Sequence, residues 1–93
     1  MTKRDAKRIL HEFARNRCLL LSTHCQEQMR NRAITTDDIL YLMFWGDVVF
    51  VKAGKNPHDW KCKIKGKSVD GDALTFVAVI NEPNYTVACV TVF

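Results

Sequence analysis

The sequence predicts an α+β domain, with helices in its N-terminal half and an antiparallel meander of about four strands in its C-terminal half. Three observations carry that reading. Apolar residues recur at helical spacing before Gly46, the period changes to alternation with β-branched residues after it, and the alternating runs are joined by short stretches rich in Gly, Pro, Asn and Asp. Short connections between consecutive strands imply antiparallel neighbours, and helices kept apart from strands imply α+β rather than βαβ organisation. At 93 residues, 47% hydrophobic and 26% charged, the chain makes one domain with one modest core, which excludes a two-domain enzyme.

The basic first segment, 1–17, places Ala6, Ile9, Leu10 and Phe13 on one helical stripe, with Thr2 available as N-cap. Its other face carries Lys3, Arg4, Lys7, Arg8, Arg15 and Arg17 against Asp5 and Glu12, an excess equal to the net charge of +4 of the whole chain. A solvated face is the expectation, with His11 solvated on it; a phosphate-contacting surface is the alternative. Segment 18–46 opens with Cys18-Leu19-Leu20-Leu21, which suits a brief buried strand or a last helical turn. Thr23 can cap a second helix from His24 to about Arg32, anchored by Met29. Ile34-Thr35-Thr36-Asp37-Asp38 offers the next cap, with two acids complementing the helix dipole. The third helix runs through Ile39, Leu40, Leu42, Met43 and Phe44 and is expected to end at Gly46 as a left-handed stop.

Segment 47–93 holds the strands: Asp47 to Lys52, Trp60 to Lys67, Ala73 to Ile80 and Tyr85 to Phe93. The turn Ser68-Val69-Asp70-Gly71-Asp72 carries an Asp-Gly hairpin signal, and Asn81-Glu82-Pro83-Asn84 joins the last two strands. The second strand alternates Trp60, Cys62 and Ile64 with Lys61, Lys63, Lys65 and Lys67. Alternate residues lie about 6.8 Å apart on one face, so four ammonium groups form a row. Such a row is comfortable in water, as protection of a sheet edge, or along a polyanion such as single-stranded nucleic acid.

No apolar run spans a bilayer and the charged N-terminal stretch does not resemble a signal peptide, so a soluble, cytoplasmic protein without a membrane partner is expected. Cys18, Cys25, Cys62 and Cys89 contain no Cys-x-x-Cys pair and are expected as buried small hydrophobes in a reducing compartment. Nothing in the spacing asks for zinc on Cys25, Cys62, His24 and His58, and no metal or cofactor is expected. No serine elbow, phosphate-cradling glycine loop or His-Glu-x-x-His occurs, and the acids are scattered. That argues against a metal-dependent nuclease. Metal-independent RNA cleavage remains open, since the 2′-hydroxyl is its nucleophile and the protein supplies an acid, a base and cations. His24, with Glu27 at i+3 and Arg32 about two turns on, combines a proton carrier, an orienting carboxylate and a phosphate anchor. The plainer alternative has His24 capping its helix and Arg32 pairing with Glu27 or Asp38.

The stretch Leu21-Ser22-Thr23-His24-Cys25-Gln26-Glu27-Gln28-Met29-Arg30-Asn31-Arg32-Ala33-Ile34-Thr35, followed by Asp38-Ile39, Gly46 and Thr91-Val92-Phe93, resembles a widespread family of small bacterial domains of unknown function. Its pattern is Ser-x-His, Glu-Arg-Met, Arg-Gly-Ile-Thr, a helix and Gly, then strands ending in Thr-Val-aromatic. His24, Glu27, Met29, Arg32, Ile34 and Thr35 match, whereas Gln28 stands for an Arg and Ala33 for a Gly. The resemblance covers Leu21 to Phe93 and leaves the basic first helix as an addition. That family in turn resembles a branch of the RelE/ParE-type toxin superfamily, in the style of BrnT- and MqsR-type toxins. The resemblance implies a RelE-like fold of helices on a twisted antiparallel sheet, metal-independent cleavage of messenger RNA and a cognate antitoxin partner. In this reading His24 or Tyr85 exchanges protons, Arg32 and Lys63 stabilise phosphate charge, and Lys61, Lys65 and Lys67 hold the RNA backbone. Gln28 removes one phosphate-anchoring cation. The alternative is a non-catalytic RNA- or protein-binding module of the same fold, engaging for example an antitoxin-like peptide at a sheet edge.

Overall fold

A computed structural model describes residues 1–82 and 85–93. Its elements are α1 (Lys3–Arg15), β1 (Leu20–Leu21), α2 (Thr23–Arg32), α3 (Thr36–Trp45), β2 (Asp47–Ala53), β3 (Asp59–Lys67), β4 (Ala73–Asn81) and β5 (Thr86–Val92). The four alternating runs form the expected antiparallel meander, β2 to β5. The strand count needs correction: Leu20-Leu21 is a fifth strand, parallel to β5, so the sheet is mixed, in the order β1-β5-β4-β3-β2. Leu20 is 60% exposed rather than buried, because β1 lies at the sheet edge. The expected turn residues Pro83 and Asn84 lie outside the described residues. No described helix is long and apolar enough to cross a membrane.

The helices pack on one face of the sheet, α1 against α3 and β2, α3 against β3 and α2 against β5. Ala6, Ile9 and Leu10 of α1 join Ile39, Leu42 and Met43 of α3 over Cys62, Ile64, Phe76, Ala78 and Ile80. Gly46 ends α3, but in extended backbone (φ −72°, ψ 167°) rather than as a left-handed stop. Its lack of a side chain serves close approach instead. A Cβ there would sit 2.5 Å from the Leu42 carbonyl oxygen and 2.7 Å from Ile64 Cγ2.

α1 begins in a capping box, in which the Thr2 hydroxyl accepts from the Asp5 N–H and the Asp5 carboxylate accepts from the Thr2 N–H. Two of its polar residues are not solvated as expected. Lys7 donates to the carbonyls of Phe44 and Gly46 and so caps the C-terminal end of α3. Burial holds its ammonium below the ordinary lysine value, with Asp47 pulling the other way. His11 stacks on Phe44 with ring centroids 4.4 Å apart, leaving its Nε2 buried without a partner. The aromatic face of the imidazole packs as well as its nitrogens hydrate, and the α1–α3 contact selects packing.

Ser22, not Thr23, caps α2, its hydroxyl accepting from the Cys25 N–H at 3.0 Å. The helix ends at Ala33 in the left-handed region (φ 53°), with the N–H groups of Ala33 and Ile34 both donating to the Met29 carbonyl. A glycine at this position would adopt the same conformation without the Cβ clash. The expected cap on α3 is Thr35, which forms a capping box with Asp38. Asp38 does more than cap: its second oxygen accepts from the Val69 N–H at 3.0 Å and docks the β3–β4 hairpin onto the helix. It is buried, and the Thr35 and Val69 N–H groups hold its carboxyl below the usual range against the opposing effect of desolvation.

Two outcomes are expected from these ends. Ala33→Gly raises unfolding stability by about 1 kcal/mol in urea denaturation, since the αL penalty disappears. Asp38→Asn lowers it by roughly 1–3 kcal/mol at neutral pH. Because the folded pKa lies below the unfolded value of 3.8, the stabilising effect of Asp38 is complete above that value and is lost as pH falls towards the folded pKa. The variant therefore shows a shallower acid limb in a plot of stability against pH.

Candidate functional site

With all three helices on one face, the alternation of β3 sends Cys62 and Ile64 inward and Lys61, Lys63, Lys65 and Lys67 to the face that no helix covers. β3 lies inside the sheet, between β2 and β4, so the row is not edge protection. Pairing register gives the composition of this open face. Lys52, Lys61, Val79, Ala88 and Leu20 lie in one line across all five strands. The next line holds Phe50, Lys63, Val77 and Thr91. Lys52 and Lys61 are directly opposed, a like-charge pairing that costs stability. The Lys52 ammonium lies 5.2 Å from the centroid of the Phe50 ring. Among the described residues the only ion pair joins Arg17 to Asp37, so the lysine row has no protein counter-ion.

The other expected site residues lie elsewhere. His24 and Arg32 stand on α2 in the helical layer, exposed and about 12 Å apart along the axis. Arg32 lines a shallow cavity of about 270 Å³ with Asp38, Ser68, Asp70 and Asp72. The acids beside it make that cavity a poor place for a phosphate. Asp38 gives its oxygens to backbone N–H groups rather than to Arg32. Tyr85 lines a cavity of about 360 Å³ against α1, with Arg8, Phe13 and Cys18. Nine-residue β4, roughly 27 Å long, separates the Arg32 end of the sheet from the Tyr85 end. Only Lys63 of the four residues expected to be catalytic stands on the open face.

The expectation of four buried thiols is corrected. Cys25 and Cys89 form a disulfide between α2 and β5, with Cα atoms 6.2 Å apart. Cys18 is exposed, and only Cys62 is a buried free thiol, pushed up to about 11 by desolvation. The pairing comes from long-range register, which brings Cys89 beside Leu21 just ahead of α2. Among the described residues no three metal-ligating side chains gather, and His58 lies in the β2–β3 loop, away from α2.

Gln28 has a structural task that the sequence did not disclose. Its side-chain oxygen accepts from the Val92 N–H at 3.0 Å and from the Thr91 hydroxyl, so it completes the β5 edge beyond the reach of short β1. An arginine, which has no acceptor, cannot replace it there.

The family model of the domain of unknown function DUF4258 matches residues 21–93. The chain belongs to the DUF4258 family. The matched stretch begins at Leu21, the second residue of β1, holds both later helices and the whole meander, and leaves α1 and Leu20 outside it. The DUF4258 portion thus contains every lysine of the open face. No curated protein and no solved structure matches the chain.

The disulfide closes a sequence separation of 64 residues, which in the chain-entropy account contributes about 4 kcal/mol. Cys25→Ala/Cys89→Ala should lose most of that stability in urea denaturation. Reductant should destabilise the wild type comparably and leave the variant unchanged.

Proposed function

We propose that the protein is an RNA-binding domain whose working surface is the open, lysine-bearing face of its sheet. One observation carries this reading: Lys61, Lys63, Lys65 and Lys67 stand in a row inside the sheet with no counter-ion among the described residues. A polyanion laid along the row supplies the missing charge and relieves the opposition of Lys52 and Lys61. RNA is preferred among polyanions because the residues around His24 and Arg32 resemble those of a family that in turn resembles the RelE/ParE-type toxins, some of which are ribonucleases.

A second reading goes further, to a RelE-like, metal-independent endoribonuclease of a toxin–antitoxin pair. The position of Lys63 favours it. Lys63 is partly buried in the middle of the row, between Phe50 and Val77, and in this reading it faces one backbone phosphate. In such cleavage the 2′-oxygen attacks phosphorus as it loses its proton, and the bond to the 5′-oxygen breaks. The products are a 2′,3′-cyclic phosphate and a 5′-hydroxyl: solvent water accepts the 2′ proton and supplies the one taken up by the leaving 5′-oxygen, with Lys63 stabilising the phosphorane charge between.

The test combines RNA retention at low salt with growth and RNA integrity on expression. Wild type is expected to retain RNA, slow growth and fragment RNA. Lys63→Gln should suppress fragmentation about 100-fold or more, whereas His24→Ala/Arg32→Ala should leave it intact. Retention with no fragmentation by the wild type would remove the ribonuclease and keep the binding domain. Absence of retention would remove both.

A further inference from the structure

The open face is divided lengthwise. Its cations lie on β2 and β3, as Lys52 and the lysine row. β4 and β5 carry no charged residue at any position. Facing outward on them, by register, are Thr75, Val77 and Val79 of β4 and Ala88, Thr91 and Phe93 at or beyond β5. Val77 is the one described buried hydrophobic residue outside the core cluster, 7% exposed on the face without helices. Leu20 and Phe93, 60% and 44% exposed, bound the uncharged half. An uncharged strip of this kind on an uncovered sheet face is not needed for solubility, and lysines or acids there would serve that purpose better.

Adjacent strands lie about 4.8 Å apart, so β4 and β5 run roughly 5 and 10 Å to one side of the lysine row. A nucleotide whose phosphate is held on β3 can reach that distance with its base. We propose, resting on the RNA-binding reading, that the two halves divide one ligand: backbone phosphates track the lysines of β3, and unpaired bases lie over the uncharged strip of β4 and β5, with Phe93 as a stacking platform. A duplex turns its bases inward and offers this face only phosphates, so the uncharged half would contact nothing. The face therefore selects single strands, through apolar and stacking contact with bases and without base-edge hydrogen bonds to fix a sequence. Lys52 and Phe50 lie on the other side of the row, away from the bases, which gives the bound strand a defined side.

The test uses a labelled 12-nucleotide RNA, 2′-O-methylated throughout to prevent cleavage, as a single strand and as a duplex of the same sequence. Binding is titrated by anisotropy across a series of salt concentrations. The single strand is expected to bind at least about tenfold more tightly. Leu20→Ser/Phe93→Ala, which alters two exposed side chains, should weaken single-strand binding about tenfold while leaving duplex affinity and the salt slope unchanged. Lys63→Gln/Lys65→Gln should reduce the salt slope for the single strand by about 1.4, or roughly 0.7 for each lost phosphate contact. Circular dichroism and thermal melting confirm that each variant is folded. Equal affinity for both RNAs, or an unaltered Leu20→Ser/Phe93→Ala variant, overturns the division of the face and leaves RNA binding standing. Failure of the wild type to bind either RNA overturns the RNA-binding reading as well.

Discussion

The register of β3 is the constraint on which the other features depend. Its inward residues, Cys62 and Ile64, are fully buried, and its outward residues are four lysines. A slip of one residue against either neighbour would carry the lysines into the core and the apolar side chains to water. An unpaired ammonium in the interior costs several kcal/mol, so four of them exceed the total stability of a small domain. The pairing of β3 with β2 and β4 is thereby fixed to a single register, and with it the face that the helices must cover. The same electrostatic cost that locks the fold leaves an array of unpaired charge on the other face.

The helical layer is held down at three places by different means. At the β2 side, α1 packs its apolar stripe and reaches with Lys7 to the free carbonyls at the end of α3. In the middle, Gly46 lets the end of α3 approach β3 within distances that a Cβ would forbid, and Asp38 grips the β3–β4 hairpin from the other end of the helix. At the far side, where the sheet ends in a two-residue strand, Ser22, Gln28 and the Cys25–Cys89 disulfide fasten α2 to β5. These last contacts stand in for strand pairing that β1 is too short to provide. They protect an edge that would otherwise present free N–H groups.

What the sequence made legible follows from the range of each signal. Alternation, N-cap residues and turn residues are local, and they located α1, α3 and the four strands of the meander to within a residue or two. The parallel pairing of Leu20-Leu21 with β5 joins residues 68 positions apart, and no local pattern encodes it. The disulfide and the task of Gln28 depend on that pairing and were hidden with it. Lys7 and His11 misled for a related reason: each has an apolar body behind a polar group, and which part dominates is decided by the facing helix. Of the expected site, the lysine row was visible because period two places it on one face whatever its neighbours. The separation of Arg32 from Tyr85 was not, since both stand at strand ends whose directions only the assembled sheet defines.

The strand order also decides which basic charges can act together. The excess on α1 equals the net charge of the chain, yet much of it is already engaged. Asp5 is committed to its capping box, Lys7 to α3 carbonyls and Arg17 to Asp37, leaving Lys3, Arg4, Arg8 and Arg15 free among the described residues. Those four stand on the outer side of a helix that itself lies on the covered face of the sheet. A helix with its side chains is about 10–12 Å thick, and sheet and helix centres add a similar distance. The separation exceeds the Debye length of about 8 Å at physiological ionic strength. The α1 cations therefore add little to the potential at the lysine row, and a ligand strand cannot touch both. An anion bound on the open face would draw on the cations of β2 and β3 alone, all of which lie inside the DUF4258 portion of the chain.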